Sequence, residues 1–365
     1  MKPVGVGVIG CGAISSAYLT AARKFPVLEI VVLADALPAA AEARAAEFGL
    51  SSRLVDELLA DPAVEIVLNL TVPKAHVQVG LAAIAAGKHV YSEKPLGVTV
   101  KEARRLFDAA AARDLRIGCA PDTFLGGAHQ TARALIDEGL IGRAIGGTAF
   151  FMCPGHERWH PNPGFYYLPG GGPMLDMGPY YITDLVNLLG PVASVMGVTT
   201  RIREERTITS KPLAGTRIPV EVATHVTGVM TFANGAAVSI TMSFDVPKHK
   251  HVPIELYGEI GSLIVPDPNY FGGAIEFAAA GEEWREIETR HGYADGNYRS
   301  LGLADMARAI RSGRPHRASG DLALHVLEVM EAFGTSSESG RAVAIASRPE
   351  RPSPMSASLA VGELD

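Results

Sequence analysis

The first third of the chain alternates short apolar runs with longer stretches of helical periodicity. Val4-Gly5-Val6-Gly7-Val8-Ile9 is a β-rich run ending in glycine, and a helical stretch follows from Ser16 to Lys24. Leu28 to Ala34 is the next apolar run and stops at Asp35. Ala39 to Phe48 has helical character, and a short connecting strand is expected near Arg53-Leu54-Val55. Glu65 to Leu70 is almost purely apolar, as a central parallel strand covered on both faces requires. The turn Thr71-Val72-Pro73-Lys74-Ala75-His76 leads into a helix ending at Ala86, with Gly87 as its C-cap. His89 to Ser92, Lys101 to Arg113 and Arg116 to Ala120 complete the series as strand, helix and strand. Repeated β–α units of this kind predict an α/β domain with a doubly wound parallel sheet.

The pattern changes after about Asp122. A helix from Gly127 to Glu138 precedes a strand near Gly146 to Met152. Thr224 to Phe232 and Ala236 to Phe244 flank Ala233-Asn234-Gly235 and predict a β-hairpin, because Asn-Gly suits a primed turn. Ile254 to Tyr257 and Ser262 to Val265 form another strand pair, and Leu301 to Ser312 and Asp321 to Ser336 read as helices. From about Ser347 the periodicity fades and prolines recur, so the end is expected to be extended or loosely ordered. The expected division is 1–122, 123–346 and an extended tail 347–365.

Composition narrows the function classes. The chain has 365 residues, enough for two cored domains, and a net charge of −6 that offers no basic surface to nucleic acid or an anionic membrane. No apolar run is long enough to cross a bilayer, and no secretory leader pattern is evident. The three cysteines, Cys11, Cys119 and Cys153, form no CxxC pair, which argues against a disulfide framework or structural zinc. A cytoplasmic protein is expected.

Candidate chemistry sits at the strand ends. Gly10-Cys11-Gly12-Ala13-Ile14-Ser15 lies between a strand and a helix, the context a dinucleotide fingerprint needs. Gly10 permits the tight turn, and Gly12 lets backbone approach a pyrophosphate at the helix N-terminus. Ser15 stands where the motif prefers Gly or Ala. Asp35 falls about twenty residues beyond the glycines, where ribose hydroxyls belong. It would repel a 2′-phosphate, and Ala36-Leu37-Pro38 supplies no arginine to receive one, so NAD is favoured over NADP. Ligands of such sheets bind at the carboxyl ends of the strands, where Gly10, Asp35, Thr71, Glu93 and Lys94 all lie.

Four stretches resemble the Gfo/Idh/MocA oxidoreductases, the glucose-fructose oxidoreductase and inositol dehydrogenase group. They are Val8 to Gly12, Thr71 to His76, Ala86-Gly87-Lys88-His89-Val90-Tyr91-Ser92-Glu93-Lys94-Pro95-Leu96, and Gly170-Gly171-Gly172-Pro173-Met174-Leu175-Asp176-Met177-Gly178. The segment Leu303 to Val343 is also similar, so the likeness covers nearly the whole chain. It implies an N-terminal Rossmann domain followed by an α+β domain with an open, mostly antiparallel sheet, often used to form a homodimer or homotetramer. It also implies Ala13, Ile14, Val72, Pro73 and His76 around the cofactor, together with the strand-end residues above. The implied substrate is a sugar, sugar derivative or cyclitol.

Pro154 to Tyr167 concentrates aromatics, prolines and polar residues in one loop. Aromatic faces stack on sugar C–H surfaces and polar neighbours bond hydroxyls, so Trp159 and His160 are candidate substrate contacts. His156 and His160 have metal-compatible spacing, but no carboxylate cluster accompanies them and no metal is expected.

Oxidising an alcohol needs a base for its proton and a positive group for the developing alkoxide. Lys94 is the candidate cation. Asp176 and Tyr180 are four residues apart in a stretch read as helix from Leu175 to Leu189, and so share a face. The family usually has Asp and then His here; this chain has Tyr180, as some relatives do. A nearby ammonium favours the phenolate, so Lys94 is expected to lower the Tyr180 pKa. The competing assignment makes Asp176 the base or orienting group, with His160 supplying an imidazole. Asp184 continues the helix face as a structural residue, and Asp122 at the interdomain crossing is a further candidate substrate contact. Two other functions remain open: redox-neutral elimination or epimerisation with retained NAD, and a non-catalytic NAD-binding regulator. Glu93-Lys94-Pro95 and Asp176 argue against the regulator.

Overall fold

In the computed structural model, which describes residues 2–365, the N-terminal part forms a five-stranded parallel sheet. Its strands lie in the order Leu28–Ala34, Val4–Ile9, Ile66–Asn69, His89–Ser92 and Ile117–Cys119. Val4–Ile9 and Ile66–Asn69 are buried along their whole length because helices cover both faces. The helices Ser15–Ala22, Pro38–Phe48, Pro73–Ala85 and Val100–Ala111 connect the strands. Expected and observed elements agree to within two residues, with one exception. The segment at Arg53–Val55 makes no strand; Ser52 forms only an isolated bridge to Leu33. A short helix starts at Val55 instead, because Glu57 accepts from the Leu54 amide at 3.0 Å and the acidic first turn suits a helix N-terminus.

The second part is built on a nine-stranded sheet. Its spatial order is Arg285–Ile287, Ile275–Ala279, Gly261–Val265, Ile254–Gly258, Ala144–Met152, Ala237–Ser243, His225–Phe232, Val192–Thr200 and Val343–Ala344. Ala237–Ser243 pairs parallel to Ala144–Met152, and every other pair is antiparallel. The helices Gly127–Asp137, Pro173–Leu189 and Gly320–Ser339 cover one face. The opposite face leaves Met196, Val198 and Val229 exposed. No described helix is long and apolar enough to cross a membrane.

Long-range contacts close the fold. Helices Leu301–Ser312 and Gly320–Ser339 return to pack on Ile117–Cys119 of the first sheet. Asp184 accepts from His129 at 2.8 Å within the core, the structural role expected of it. The tail 347–365 has no helix or strand but is pinned: Arg317 donates to the carbonyls of Ser353 at 2.9 Å and Pro354 at 3.0 Å, and to Asp365 at 2.6 Å.

His325, on the long helix Gly320–Ser339, makes the fold acid-sensitive. It is fully buried, and its Nε2 accepts from the Val192 amide at 3.0 Å. An amide only donates, so this nitrogen must be unprotonated. Burial pushes its pKa down to about 4, despite the pull of Glu328. The unfolded chain takes up that proton near the ordinary histidine value of about 6.5. Stability is therefore whole above about pH 6.5 and falls as pH drops toward 4, by on the order of 3 kcal/mol for this one group. Melting curves should show Tm declining between pH 6.5 and 4, with a shallower slope in His325→Gln. An identical slope in that variant would refute the assignment.

Candidate active site

The cofactor side begins at the first strand end. Gly10 has φ 106°, and a Cβ there would sit 2.6 Å from the Leu70 carbonyl, so only glycine fits. A Cβ at Gly12 would meet nothing within 4 Å. That open side, at the start of helix Ser15–Ala22, is where a pyrophosphate can approach. Asp35 stands beside the turn: its Oδ2 accepts from the Cys11 amide at 2.7 Å and its Oδ1 from Leu37 at 2.8 Å. Each oxygen keeps a lone pair for a ribose hydroxyl. Arg44 reaches the turn from the next helix, donating to the Gly12 carbonyl at 3.3 Å and to Glu47 at 2.6 Å. The residues present fit a dinucleotide.

Ala13, Ile14, Thr71, Pro73 and Glu93 line a cleft of about 530 Å³. His76 does not line it. It is buried under the cleft, with Nδ1 2.7 Å from the Pro95 carbonyl and Nε2 2.9 Å from the Thr71 carbonyl, joining two cofactor-side turns. Val72 is exposed outside. Glu93 is fixed by the Tyr18 hydroxyl at 2.7 Å and by the Lys94 amide at 2.9 Å.

Lys94 crosses to the second part. Its Nζ donates to Asp176 Oδ1 at 2.9 Å and to the Asp176 carbonyl at 2.7 Å. That carbonyl belongs to the first turns of helix Pro173–Leu189, which Pro179 loosens by lacking the amide that would bond Leu175. Burial opposes the ammonium charge, but Asp176, Tyr180 and Glu93 together outweigh it and hold Lys94 above its ordinary value. Asp176 shows the mirror effect: burial raises it, Lys94 and His156 outweigh that, and its pKa falls to about 2.

His156 is the second donor to Asp176, with Nε2 at 3.1 Å from Oδ2. Its Nδ1 takes the Trp159 indole N–H at 3.2 Å. Indole only donates, so Nδ1 is the acceptor and Nε2 carries the proton given to Asp176. The imidazole on Asp176 is therefore His156, not His160. His160 faces the cleft beside Phe165 and Tyr166. A buried clamp holds this loop. Arg206, from the small hairpin Glu205–Thr207 with Arg217–Pro219, donates to Glu157 at 2.8 Å and pairs with Asp245. Tyr167 bonds Glu157 and takes the His156 amide at 3.0 Å.

Tyr180 lies one turn beyond Asp176, with Lys94 Nζ 5.1 Å from its ring centroid. The expected lowering of its pKa by Lys94 is real in sign but loses to burial, which leaves the phenol above its ordinary value. A second chamber of about 570 Å³ opens here, lined by Phe151, His156, Arg158, Trp159, Tyr166 and Asn269 among others. Lys94, Asp176, Tyr180, Trp159 and Tyr166 belong to both cavities and form their common wall. Asp122 is not in this wall. It is buried, and its Oδ2 accepts from the amides of Ser300 at 3.1 Å and Gly302 at 2.9 Å. The expectation that it contacts substrate is thereby corrected. Among the described residues no group of three His, Cys, Asp or Glu is placed to hold a metal ion.

A nucleotide cleft on a parallel sheet, sharing a wall of Lys, Asp and Tyr with a second chamber, defines a dinucleotide-dependent oxidoreductase architecture. Family models agree. Residues 4–120 match the oxidoreductase family's NAD-binding Rossmann fold, and residues 129–264 match the GFO/IDH/MocA C-terminal domain. The chain belongs to the Gfo/Idh/MocA family and is an NAD-dependent oxidoreductase. It is 26% identical to levoglucosan dehydrogenase of Pseudarthrobacter phenanthrenivorans, over 72% of this chain and 74% of that protein. It is 33% identical to 1,5-anhydro-D-fructose reductase of Ensifer adhaerens, over 47% of this chain and 52% of that one. The structure of levoglucosan dehydrogenase with NADH and levoglucosan superposes with a TM-score of 0.82 at 22% identity, covering 94% of this chain and all of that one.

Asp35 generates a test. Asp35→Ala removes a carboxylate that bonds the glycine turn and keeps lone pairs free for a hydroxyl. NAD affinity, measured by titration calorimetry, should fall about tenfold to a hundredfold, the loss expected for charge-assisted bonds. NADP should lose less or gain. Equal losses for both cofactors would remove Asp35 as the selector.

Proposed function

We propose that the protein oxidises a secondary hydroxyl of a sugar, sugar derivative or cyclitol, or reduces the matching ketone, with Tyr180 transferring the proton. The observation that carries this is the shared wall: Lys94, Asp176 and Tyr180 stand between the cofactor cleft and the second chamber. NAD, when bound, supplies the acceptor for the carbon-bound hydrogen and its electron pair. The rest falls to the chain's own residues.

Asp176, at about 2, is too weak a base to hold a proton near neutrality, and two donors already occupy its oxygens. Its role is to keep Lys94 charged and aimed. The Lys94 ammonium offers its charge to an alkoxide forming at the wall. Tyr180 is left as the proton-transfer group. Trp159, with 60% of its surface exposed, and Tyr166 supply the apolar faces that suit a pyranose or cyclitol ring. Relatives named for levoglucosan, anhydrofructose and inositol support that ring class. The bare sheet face bearing Met196, Val198 and Val229 supports assembly into a homo-oligomer, and the Cys pattern supports a cytoplasmic setting.

The test is NADH formation with NAD and NADP offered separately across pyranosides, aldoses and inositols. One ring class should respond with NAD, and Tyr180→Phe should lower kcat by about 10²–10⁴ while NAD still binds. The phenol's raised pKa sets the pH dependence. Oxidation needs the phenolate and should quicken as pH rises above neutrality, whereas reduction needs the phenol and should not. No NADH from any substrate, with product formed and NAD retained, would replace this reading by redox-neutral elimination or epimerisation.

A further inference from the structure

The chamber beside Tyr180 has polar groups of one kind to spare. Its side-chain nitrogen and oxygen acceptors, the tyrosine hydroxyls aside, are already engaged. Lys94 and His156 donate to Asp176 Oδ1 and Oδ2 at 2.9 and 3.1 Å. Trp159 donates to His156 Nδ1 at 3.2 Å. Arg299, outside the lining, donates to Asn269 Oδ1 at 2.9 Å.

Donors are left over. Arginine only donates, so Asn269 must turn its Oδ1 toward Arg299, and its Nδ2 keeps its protons without a partner among the described residues. Lys94 Nζ bonds the Asp176 carbonyl and carboxylate and has a third proton to give. Arg158 gives none away. It lines the chamber, and among the described residues its side chain has no hydrogen bond, ion pair or ring contact. The carboxylate next to it in sequence, Glu157, is taken by Arg206 at 2.8 Å. The turn that carries Arg158 is nevertheless held. The His156 amide donates to the Tyr167 hydroxyl at 3.0 Å, and the Glu157 carbonyl accepts from the Thr209 amide at 2.9 Å and the Ser210 amide at 3.2 Å. Lys94 and Arg158 stand against one lining carboxylate, Asp176, so positive charge is in excess.

A neutral ring alcohol brings a donor with every hydroxyl and needs acceptors that are already spent here. A carboxylate only accepts, and its planar pair of oxygens matches a guanidinium fork. We propose that the ring alcohol taken by this chamber carries a carboxylate, as a hexuronate or a carboxylated cyclitol does, and that Arg158 and the Asn269 amide bind that group while Lys94 and Tyr180 meet the reacting hydroxyl. This rests on the ring-alcohol reading above and narrows it. A cavity of about 570 Å³ has room for one such ring. The carboxylate takes no part in the bond changes: the hydrogen and its electron pair leave the carbon for NAD, the hydroxyl proton goes to Tyr180, and the carboxylate is an anchor. A phosphate ester has the same attraction to a cation, but its charge of about −1.5 to −2 exceeds what the lining has to spare.

The test reads binding, by titration calorimetry on the full chain loaded with NADH, so that no turnover is needed. D-Glucuronate, D-galacturonate and quinate are compared with D-glucose, D-galactose, myo-inositol and glucose 6-phosphate. At least one acid should bind about tenfold or more tightly than its neutral counterpart, and added salt should shrink that advantage. Arg158→Gln should cut the acid-to-neutral affinity ratio about tenfold, and Arg158→Lys should keep part of it. Asn269→Ala should move the ratio in the same direction by less. Because Arg158 makes no internal contact, Tm in its variants should stay at the parent value. No acid binding more tightly than its neutral counterpart, or a ratio that Arg158→Gln leaves unmoved, would overturn the proposal. Glucose 6-phosphate binding more tightly than every carboxylate would overturn it in favour of a phosphate ester. Acids that bind in this Arg158-dependent way, yet yield no NADH when offered with NAD, would instead count against the proposed oxidation and leave the anchor standing.

Discussion

The site depends on one ion pair. Lys94 lies just beyond the strand His89–Ser92 of the nucleotide-binding sheet, and Asp176 sits 82 residues later in the first turns of a helix of the other part. Both are largely removed from water, and each contributes the largest single share of what offsets the other's burial, with Tyr180 and Glu93 helping to hold the Lys94 charge and His156 that of Asp176. Taking away either partner leaves a poorly solvated charge, a far larger disturbance than breaking a surface pair. The pair also fixes geometry. It pins the start of helix Pro173–Leu189 against the cofactor cleft, and this helix brings Tyr180 to the wall both cavities share.

The remaining contacts follow from what Asp176 can accept. Lys94 and His156 take one oxygen each, and His156 can give its proton only because Trp159 occupies its other nitrogen. The aromatic wall of the chamber is thus oriented by the carboxylate beneath it. Arg206 and Glu157 hold that loop from behind, as Arg299 and Asn269 brace the opposite side. Each of these groups hydrogen-bonds another, so a substrate meets a preorganised surface.

The parallel sheet and its strand-end residues were legible because hydrophobic period and glycine spacing are local properties. Gly10, Gly12, Asp35 and Lys94 could be placed by counting along the chain. What was not legible has a common cause: it depends on residues distant along the chain. In the competing assignment the loop imidazole was His160, and nothing local separates it from His156; the one that meets Asp176 is set by a clamp whose arginine lies about fifty residues away. Asp122 was expected in the chamber, but its partners at Ser300 and Gly302 come from the far end of the chain. For Tyr180 the proximity of Lys94 was legible and the balance against burial was not. Burial is a sum over the whole fold.

A double-mutant cycle on turnover tests the pair most directly. Lys94→Met, Asp176→Asn and the double variant are compared by kcat/KM on the same ring substrate, with NAD binding as the control. If the two residues act as one unit, each single variant should lose about as much as the double, giving a coupling energy on the order of 2 kcal/mol or more. Losses that simply multiply would mean that Lys94 and Asp176 act independently, and the pair would no longer account for the site.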